Sequence, residues 1–192
     1  MKRFMKAAAI ALAASMMFGL TGCGGTATDE KVLRVGMECA YAPFNWTQTD
    51  DSNGAVPIEG GGYANGYDVQ IAKKIAEGVN RELVIVKTVW DGLEPALNSG
   101  TIDAIIAGMS PTADRKLRMD FTVNYYNSDL VVVVRKDGPY ANAKTLEDFS
   151  GAKITGQLST FHYTVIDQMT GVKKQTAMED FPTMINALNA GT

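Results

Sequence analysis

The stretch that decides the fold is residues 83–108, LVIVKTVWDGLEPALNSGTIDAIIAG. Residues 83–87 form a short run rich in β-branched side chains, and residues 102–107 form an apolar run suited to a buried strand. Between them, an aspartate is placed to cap a helix over residues 91–98, which Gly100 would close. A strand, a helix and a second strand in this order predict a parallel sheet with right-handed crossovers.

The same alternation extends along the chain in both directions. The further strands predicted are 32–37, 129–135 and 152–156, and the further helices are one opened by Asp68 and those over 160–169 and 181–189. The residues between about 49 and 66 are rich in Gly and Asn and are predicted to form a loop. The pattern predicts two α/β units, the first over residues 31–125 and the second over residues 126–192.

A short repeat links the two units. ALNAGT at residues 187–192 matches ALNSGT at residues 96–101 at five of six positions. The first copy leads into an apolar strand, and no strand follows the second copy in this sequence. We therefore expect the second unit to be incomplete and the chain to be a C-terminally truncated piece of a longer protein.

The N-terminus has the features of a secretory signal. MKRFMK is basic, and the apolar run that follows is too short for a comfortable membrane span. Leu20-Thr21-Gly22-Cys23 resembles the lipobox of bacterial lipoproteins, which implies a signal peptide over residues 1–22 and lipidation of Cys23. Residues 23–30 would then be a flexible tether. We expect the protein to be anchored to the cell membrane on its extracytoplasmic face, or to lie in the periplasm.

Composition excludes several classes of function. Removal of residues 1–22 would change the formal net charge from −3 to −6, which argues against a nucleic-acid partner. Only Cys39 would remain as a thiol, and we expect it to be a small buried hydrophobe. With one histidine, His162, a Cys/His zinc site cannot be assembled. No nucleophile elbow, P-loop or dinucleotide fingerprint is present, and we expect no cofactor, no metal and no catalytic residue.

Candidate ligand-binding residues cluster where the strands of the first unit end. Ligands gather beyond the carboxyl ends of the strands in an open parallel sheet. Tyr41 and Trp90 could form two aromatic walls there, or each could cover the local core. In IAGMSPTADR, residues 106–115, unpaired amides near Ser110 and Thr112 together with Arg115 could hold an anion. The alternative is a capped helix start with Arg115 on a solvated surface.

Three motifs resemble one family, the bacterial extracellular solute-binding proteins of family 3, which bind polar amino acids for ABC importers. They are GYDVQIA at residues 66–72, WDGLEPAL at residues 90–97 and AGMSPTADR at residues 107–115. Gln70 departs from the pattern, since an acidic residue is usual there. The resemblance covers residues 32–192 and implies a periplasmic-binding-protein-like type II fold, with two three-layer α/β lobes joined by a hinge.

The resemblance also implies roles for individual residues. Tyr41 and Trp90 would sandwich the side chain of the ligand, and Glu38 would meet its far end. The Gly108 carbonyl and the Ser110 hydroxyl would accept from the α-ammonium, and Arg115 with the amide of Ser110 or Thr112 would hold the α-carboxylate. From the second lobe, the loop that carries Gln157, Ser159 and Thr160 would close over that carboxylate.

The resemblance implies a monomeric receptor that captures an amino acid and delivers it to the permease subunits of an ABC importer. Two alternatives use the same fold. One is a cyclohexadienyl-dehydratase-like enzyme, for which Glu38 is the only obvious proton-transferring group. The other is the ligand-sensing domain of a signalling receptor, which would continue into a transmembrane helix. The preferred amino acid stays open, because Glu38 and Asp91 permit a cationic ligand while two aromatic walls tolerate many others.

Overall fold

The computed structural model describes residues 31–192. The predicted signal peptide, the lipidation of Cys23 and the tether over residues 23–30 lie outside the described residues. Within residues 31–192 no helix is long and apolar enough to cross a membrane.

The described chain contains short strands and four α-helices. In chain order these are β1 (Val32–Met37), β2 (Ala40–Tyr41), β3 (Asn45–Gln48), β4 (Val56–Pro57), β5 (Tyr63–Asn65), α1 (Tyr67–Gly78), β6 (Glu82–Lys87), α2 (Trp90–Asn98), β7 (Ala104–Ile105), β8 (Lys153–Ile154), α3 (Phe161–Thr164), β9 (Lys173–Lys174) and α4 (Phe181–Ala190). Single 3₁₀ turns cover Ser52–Gly54, Arg115–Leu117, Glu147–Phe149 and Val165–Gln168.

The central sheet of the first unit has the parallel order β6-β1-β7, as predicted from residues 83–108. β1 pairs with β6 along its whole length, and Val35 and Gly36 pair with Ala104 and Ile105 of β7. The carboxyl ends of the three strands therefore meet at one edge. The segments that leave this edge carry Glu38, Trp90 and Gly108, so the sheet places the residues of the predicted site side by side.

A second, antiparallel sheet of order β2-β3-β5-β4 corrects the prediction of a loop over residues 49–66. The glycines at 60–62 that suggested a loop instead form the tight connection between β4 and β5, where the Ile58 amide donates to the Gly62 carbonyl at 3.0 Å. Gly66 then begins α1 with φ at 127°, and a Cβ at this position would lie 2.2 Å from the carbonyl oxygen of Phe44. Only glycine fits this approach of two backbones.

Among residues 31–192 the hydrophobic core forms two clusters. The larger one lies between the central sheet and its helices, and its fully buried members include Val35, Val69, Ile85 and Leu93. Burying each such side chain contributes about 1.5–3 kcal/mol. A smaller cluster in the second unit is built on Phe149, Ala152 and Met169. Two separate cores support a division into two lobes near residue 125, which stays a prediction.

Several predicted elements differ from the structure. The strand predicted over 102–107 is regular only at Ala104–Ile105. The helix predicted over 160–169 is split into α3 and a 3₁₀ turn. Residues 129–135 form no strand, and Leu130, Val131 and Val133 are exposed. The reason is that a strand needs a hydrogen-bonded neighbour, and the described residues supply none to this segment.

Candidate functional site

A small cavity lies where the carboxyl edge of the central sheet faces the second unit. It is lined by Glu38, Tyr41, Trp90, Ala107, Gly108, Ser110, Arg115, Gln157, Thr160, Phe161, His162 and Phe181. Eight of the ten residues predicted to bind ligand thus surround one space. Its volume is about 10 Å³, which is room for about one water molecule. The other two predicted residues, Thr112 and Ser159, line a wider groove that shares Trp90, Arg115 and Thr160 with the cavity.

Arg115 is the cation of the cavity, and it is only 8% exposed. Its position follows from the local backbone, because the Thr112 hydroxyl accepts from the Arg115 amide at 3.3 Å and starts the 3₁₀ turn. The two terminal nitrogens donate to backbone carbonyls, to Ser110 at 3.1 Å and to Ser159 at 3.5 Å. It forms no ion pair with the residues that the structure describes. Burial accordingly lowers the pKa of Arg115.

Glu38 is the anion of the cavity, and it is 7% exposed. One carboxylate oxygen accepts from Nε2 of Gln157 at 2.7 Å, which joins the two units directly. The pKa of Glu38 is raised to about 7, chiefly by burial and also by the negative charges of Asp180, Asp91 and Glu179, while the bond from Gln157 opposes the change. Within residues 31–192 no cation pairs with this carboxylate.

The two predicted aromatic walls, Tyr41 and Trp90, both make contacts within the protein: Tyr41 with other aromatic rings, and Trp90 with a guanidinium. Tyr41 stacks between Phe44 at 5.0 Å and Phe181 at 4.4 Å, measured between ring centroids. The guanidinium of Arg115 lies 5.1 Å from the centre of the Trp90 ring. Nε1 of Trp90 donates to the Ser159 carbonyl at 3.2 Å, so this indole also reaches the second unit. Phe181 therefore packs against the ring of Tyr41, which was expected to contact the ligand side chain.

The loop of the second unit presents a carbonyl as well as side chains to the site. Ser159 has φ at 56°, a left-handed conformation that is uncommon for a residue with a side chain. Its carbonyl accepts from Trp90 and Arg115 as described. The Thr160 hydroxyl donates to the carbonyl of Gln157 at 2.6 Å, and Nε2 of Gln157 also donates to the carbonyl of Glu179 at 3.0 Å. These bonds fix the loop against the start of α4.

A buried network centred on Asp68 connects two of the site segments. Nδ2 of Asn45 donates to one carboxylate oxygen of Asp68 at 2.7 Å, and the Tyr125 hydroxyl donates to the other at 2.8 Å. Asn45 accepts from the Cys39 amide at 2.9 Å, and the Tyr125 oxygen accepts from the Gly108 amide at 3.1 Å. Asp68 is fully buried and thus fixes the loops that carry Glu38 and Gly108. Cys39 is buried in the core, as predicted.

Four residues that line the cavity were not among the predicted ligand-binding residues, namely Ala107, Phe161, His162 and Phe181. Phe181 directly follows Asp180, whose carboxylate accepts from the Thr183 amide and caps α4. The sequence predicts where this helix starts, but it does not predict that the helix packs against β2. His162 was considered only in excluding a zinc site, and the structure places it in the cavity wall. Among the described residues, no group of three or more His, Cys, Asp or Glu side chains could hold a metal ion.

Comparison with protein families gives one match over nearly all of the described chain. The family described as bacterial extracellular solute-binding proteins, family 3, matches residues 33–192. The arginine-binding extracellular protein ArtP of Bacillus subtilis is 29% identical over 78% of this chain. A probable histidine-binding protein of Campylobacter jejuni is 34% identical over 83% of this chain. The chain spans 54% and 59% of the length of these two relatives.

Solved structures confirm the predicted periplasmic-binding-protein-like α/β fold. The arginine-bound form of truncated ArgBP from T. maritima is 33% identical, with a TM-score of 0.69. The alignment covers 84% of this chain and 70% of the ArgBP chain. The ancestral amino-acid-binding protein AncCDT-1, described as a precursor of cyclohexadienyl dehydratase, is 27% identical, with a TM-score of 0.70. The alignment covers 84% of this chain and 66% of the AncCDT-1 chain. The relatives named above are described as binding proteins, as predicted.

Proposed function

Because this chain belongs to the bacterial extracellular solute-binding proteins of family 3, we propose that it captures a free amino acid between two lobes and delivers it to an ABC importer. The lobes would be residues 31–125 and 126–192. The receptor would act as a monomer on the extracytoplasmic face of the cell membrane, anchored through lipidated Cys23, and its protein partners would be the permease subunits.

One observation carries this proposal. Arg115 and Glu38 line the same cavity, both are more than nine-tenths buried, and neither forms an ion pair with the described residues. An uncompensated buried charge is costly, so a fold that retains two of opposite sign is complementary to a ligand that carries both signs. A free amino acid has this charge pattern.

The proposed roles place the ligand backbone at the end of β7. Arg115 would hold the α-carboxylate, with an amide of Ser110 or Thr112 beside it. The α-ammonium would donate to the Gly108 carbonyl and the Ser110 hydroxyl. Charge-assisted hydrogen bonds of this kind contribute about 1.5–3 kcal/mol each.

The second lobe and the aromatic residues would complete the site. Gln157, Ser159 and Thr160 would close over the carboxylate from the second lobe. Tyr41 and Trp90 would contact the ligand side chain once Phe181 has moved off Tyr41. Contacts from both lobes would be made together only in the closed form, so the ligand would stabilise closure.

We further propose that the preferred ligand has a cationic side chain. The charges that act on Glu38 are those of Asp91, Glu179 and Asp180, all negative, and they come from both units. A cation at this end of the cavity would compensate Glu38 and its acidic neighbours together. The names of the relatives are consistent with this choice, because several are described as arginine- or histidine-binding proteins.

The test is calorimetric titration of the purified full-length protein with L-arginine, L-lysine and L-glutamate. We expect L-arginine to bind with a Kd of about 1 µM or tighter, equivalent to about −8 kcal/mol. Arg115→Ala should weaken binding by at least about 2 kcal/mol, or roughly thirtyfold. Arg118→Ala is the matched control, because Arg118 lies on the same turn but pairs with Glu94 and Asp114 away from the cavity. Equal affinities for both variants would contradict the proposed carboxylate site.

A dehydratase-like enzyme is the second candidate, and the raised pKa of Glu38 favours it. A carboxyl group with a pKa of about 7 inside a cavity is suited to proton transfer at neutral pH. Incubating the chain with a cyclohexadienyl carboxylate and following the ultraviolet absorbance of an aromatic product would test this activity. Turnover that Glu38→Gln abolishes would support the enzyme, and no turnover would leave binding as the function.

A further inference from the structure

His162 is a polar residue of the cavity wall that the proposed function leaves without a role. It lies in the first turn of α3, directly after the Gln157–Thr160 loop that closes the site, and it is the only histidine of the chain. Its Nδ1 atom is buried and has no hydrogen-bond partner within residues 31–192. Buried polar atoms are nearly always hydrogen-bonded, so an exception in a cavity wall points to a group that the protein itself does not supply.

The surroundings of His162 keep its ring neutral and fixed. Its ring lies 4.4 Å from the ring of Phe161 and makes an edge contact with Phe181 at 6.5 Å. Burial, with a smaller contribution from the positive charge of Arg115, lowers the pKa of His162. A neutral imidazole carries one N–H and one acceptor nitrogen, and the hydrogen bonds that its surroundings offer decide which nitrogen holds the proton.

Arg115 alone cannot satisfy the carboxylate that the proposed function assigns to it. Two of the five N–H donors of its guanidinium already bond to the carbonyls of Ser110 and Ser159, so at most three are left for a carboxylate. A carboxylate offers about four acceptor positions and needs several donors when it is buried. His162 lies close enough to Arg115 to feel its charge, and it belongs to the opposite unit, so it can approach the same anion from the other side.

We propose that His162 is a ligand-binding residue of the second lobe, whose Nδ1–H donates a hydrogen bond to the α-carboxylate held by Arg115. The proposal rests on the proposed function, since it requires an amino acid in the cavity. The ligand class is a free carboxylate rather than an amide or an ester.

Two variants of His162 test the proposal with L-arginine as the probe. In His162→Asn the side-chain amide occupies the position of Nδ1 and keeps a donor, whereas His162→Leu fills the space with no polar atom. We expect His162→Leu to raise the Kd about tenfold or more and His162→Asn to raise it by less than about threefold. Urea denaturation of both variants checks that each one folds. Equal Kd values for wild type and His162→Leu would overturn the proposal, and would indicate that Nδ1 meets only a water molecule.

Imidazole ¹⁵N spectra give a readout that a purely structural role would not move. Because the chain has one histidine, its two ring nitrogens give unambiguous signals. Saturating L-arginine should shift the Nδ1 signal, and L-argininamide, which lacks the carboxylate charge, should shift it less. Unchanged signals at saturation would overturn the role of His162 and leave amino-acid binding intact. If wild type binds no amino acid at all, the proposed function is wrong and this inference fails with it.

Discussion

Replacing Glu38 with Gln should make the stability of the chain less dependent on pH. The amide oxygen of Gln can still accept the hydrogen bond that Glu38 accepts from Gln157 at 2.7 Å. The change therefore removes the ionisable group while keeping its volume and its contact between the units.

The magnitude follows from the raised pKa of Glu38. Its carboxyl group has a pKa of about 7 in the folded chain and an ordinary value of 4.5. Between these values the folded chain binds a proton that the unfolded chain has lost, so stability falls as the pH rises through this window. At about 1.36 kcal/mol for each pKa unit, the full loss is roughly 3 kcal/mol.

The assay is urea denaturation of wild type and Glu38→Gln from pH 5 to pH 8. We expect the variant to gain stability relative to wild type by about 2–3 kcal/mol over that range. Glu77→Gln, an exposed substitution on α1, is the matched control and should follow wild type. Parallel curves for wild type and Glu38→Gln would refute the reasoning, because they would show that the carboxyl group ionises alike in both states.

Three further substitutions test other parts of the structure. Asp68→Ala should lower the free energy of unfolding by about 3 kcal/mol in urea denaturation, because Asn45 and Tyr125 would each lose a hydrogen bond to a buried charge. A loss below about 1 kcal/mol would contradict the stabilising role of this hydrogen-bond network. Gly66→Ala should cost at least about 2 kcal/mol in the same assay, because its Cβ would clash with the Phe44 carbonyl; wild-type stability would show that the backbone relaxes freely. Phe181→Ala should lower the Kd for L-arginine about fivefold, or roughly 1 kcal/mol, because the ligand would no longer displace a ring from Tyr41; weaker binding in calorimetry would mean that Phe181 is a wall of the site.

Local sequence patterns predicted the central sheet well. The strands over 32–37 and 83–87 and the helix that ends at Asn98 are found almost as predicted, because each strand is a short run rich in apolar residues and the helix is closed by Gly100. The same β–α–β order predicts that Glu38, Trp90 and Arg115 lie at the carboxyl edge of the central sheet. Parallel strands share a carboxyl edge wherever they occur, so this inference needed only the order of the elements.

Contacts distant in sequence account for what the sequence did not predict. The antiparallel sheet depends on the pairing of β3 with β5 across a loop. No hydrophobic periodicity in residues 49–66 predicts this pairing. Phe181 contacts Tyr41, which lies 140 positions earlier in the sequence. The sequence of α4 predicts a capped helix but not the surface against which it packs. Ile75 of α1 and Val79, which directly follows this helix, are apolar but exposed, because tertiary packing covers only part of the helix surface.

The size of the cavity also has a kinetic consequence. With room for about one water molecule, the arrangement of lobes in the structure admits no amino acid directly. Entry and exit would then take place only during the fraction of time in which Trp90 and Glu38 have released the second lobe. The observed association rate would be the encounter rate multiplied by that fraction. Ligands of different affinity would then associate at similar rates and would differ in their residence times.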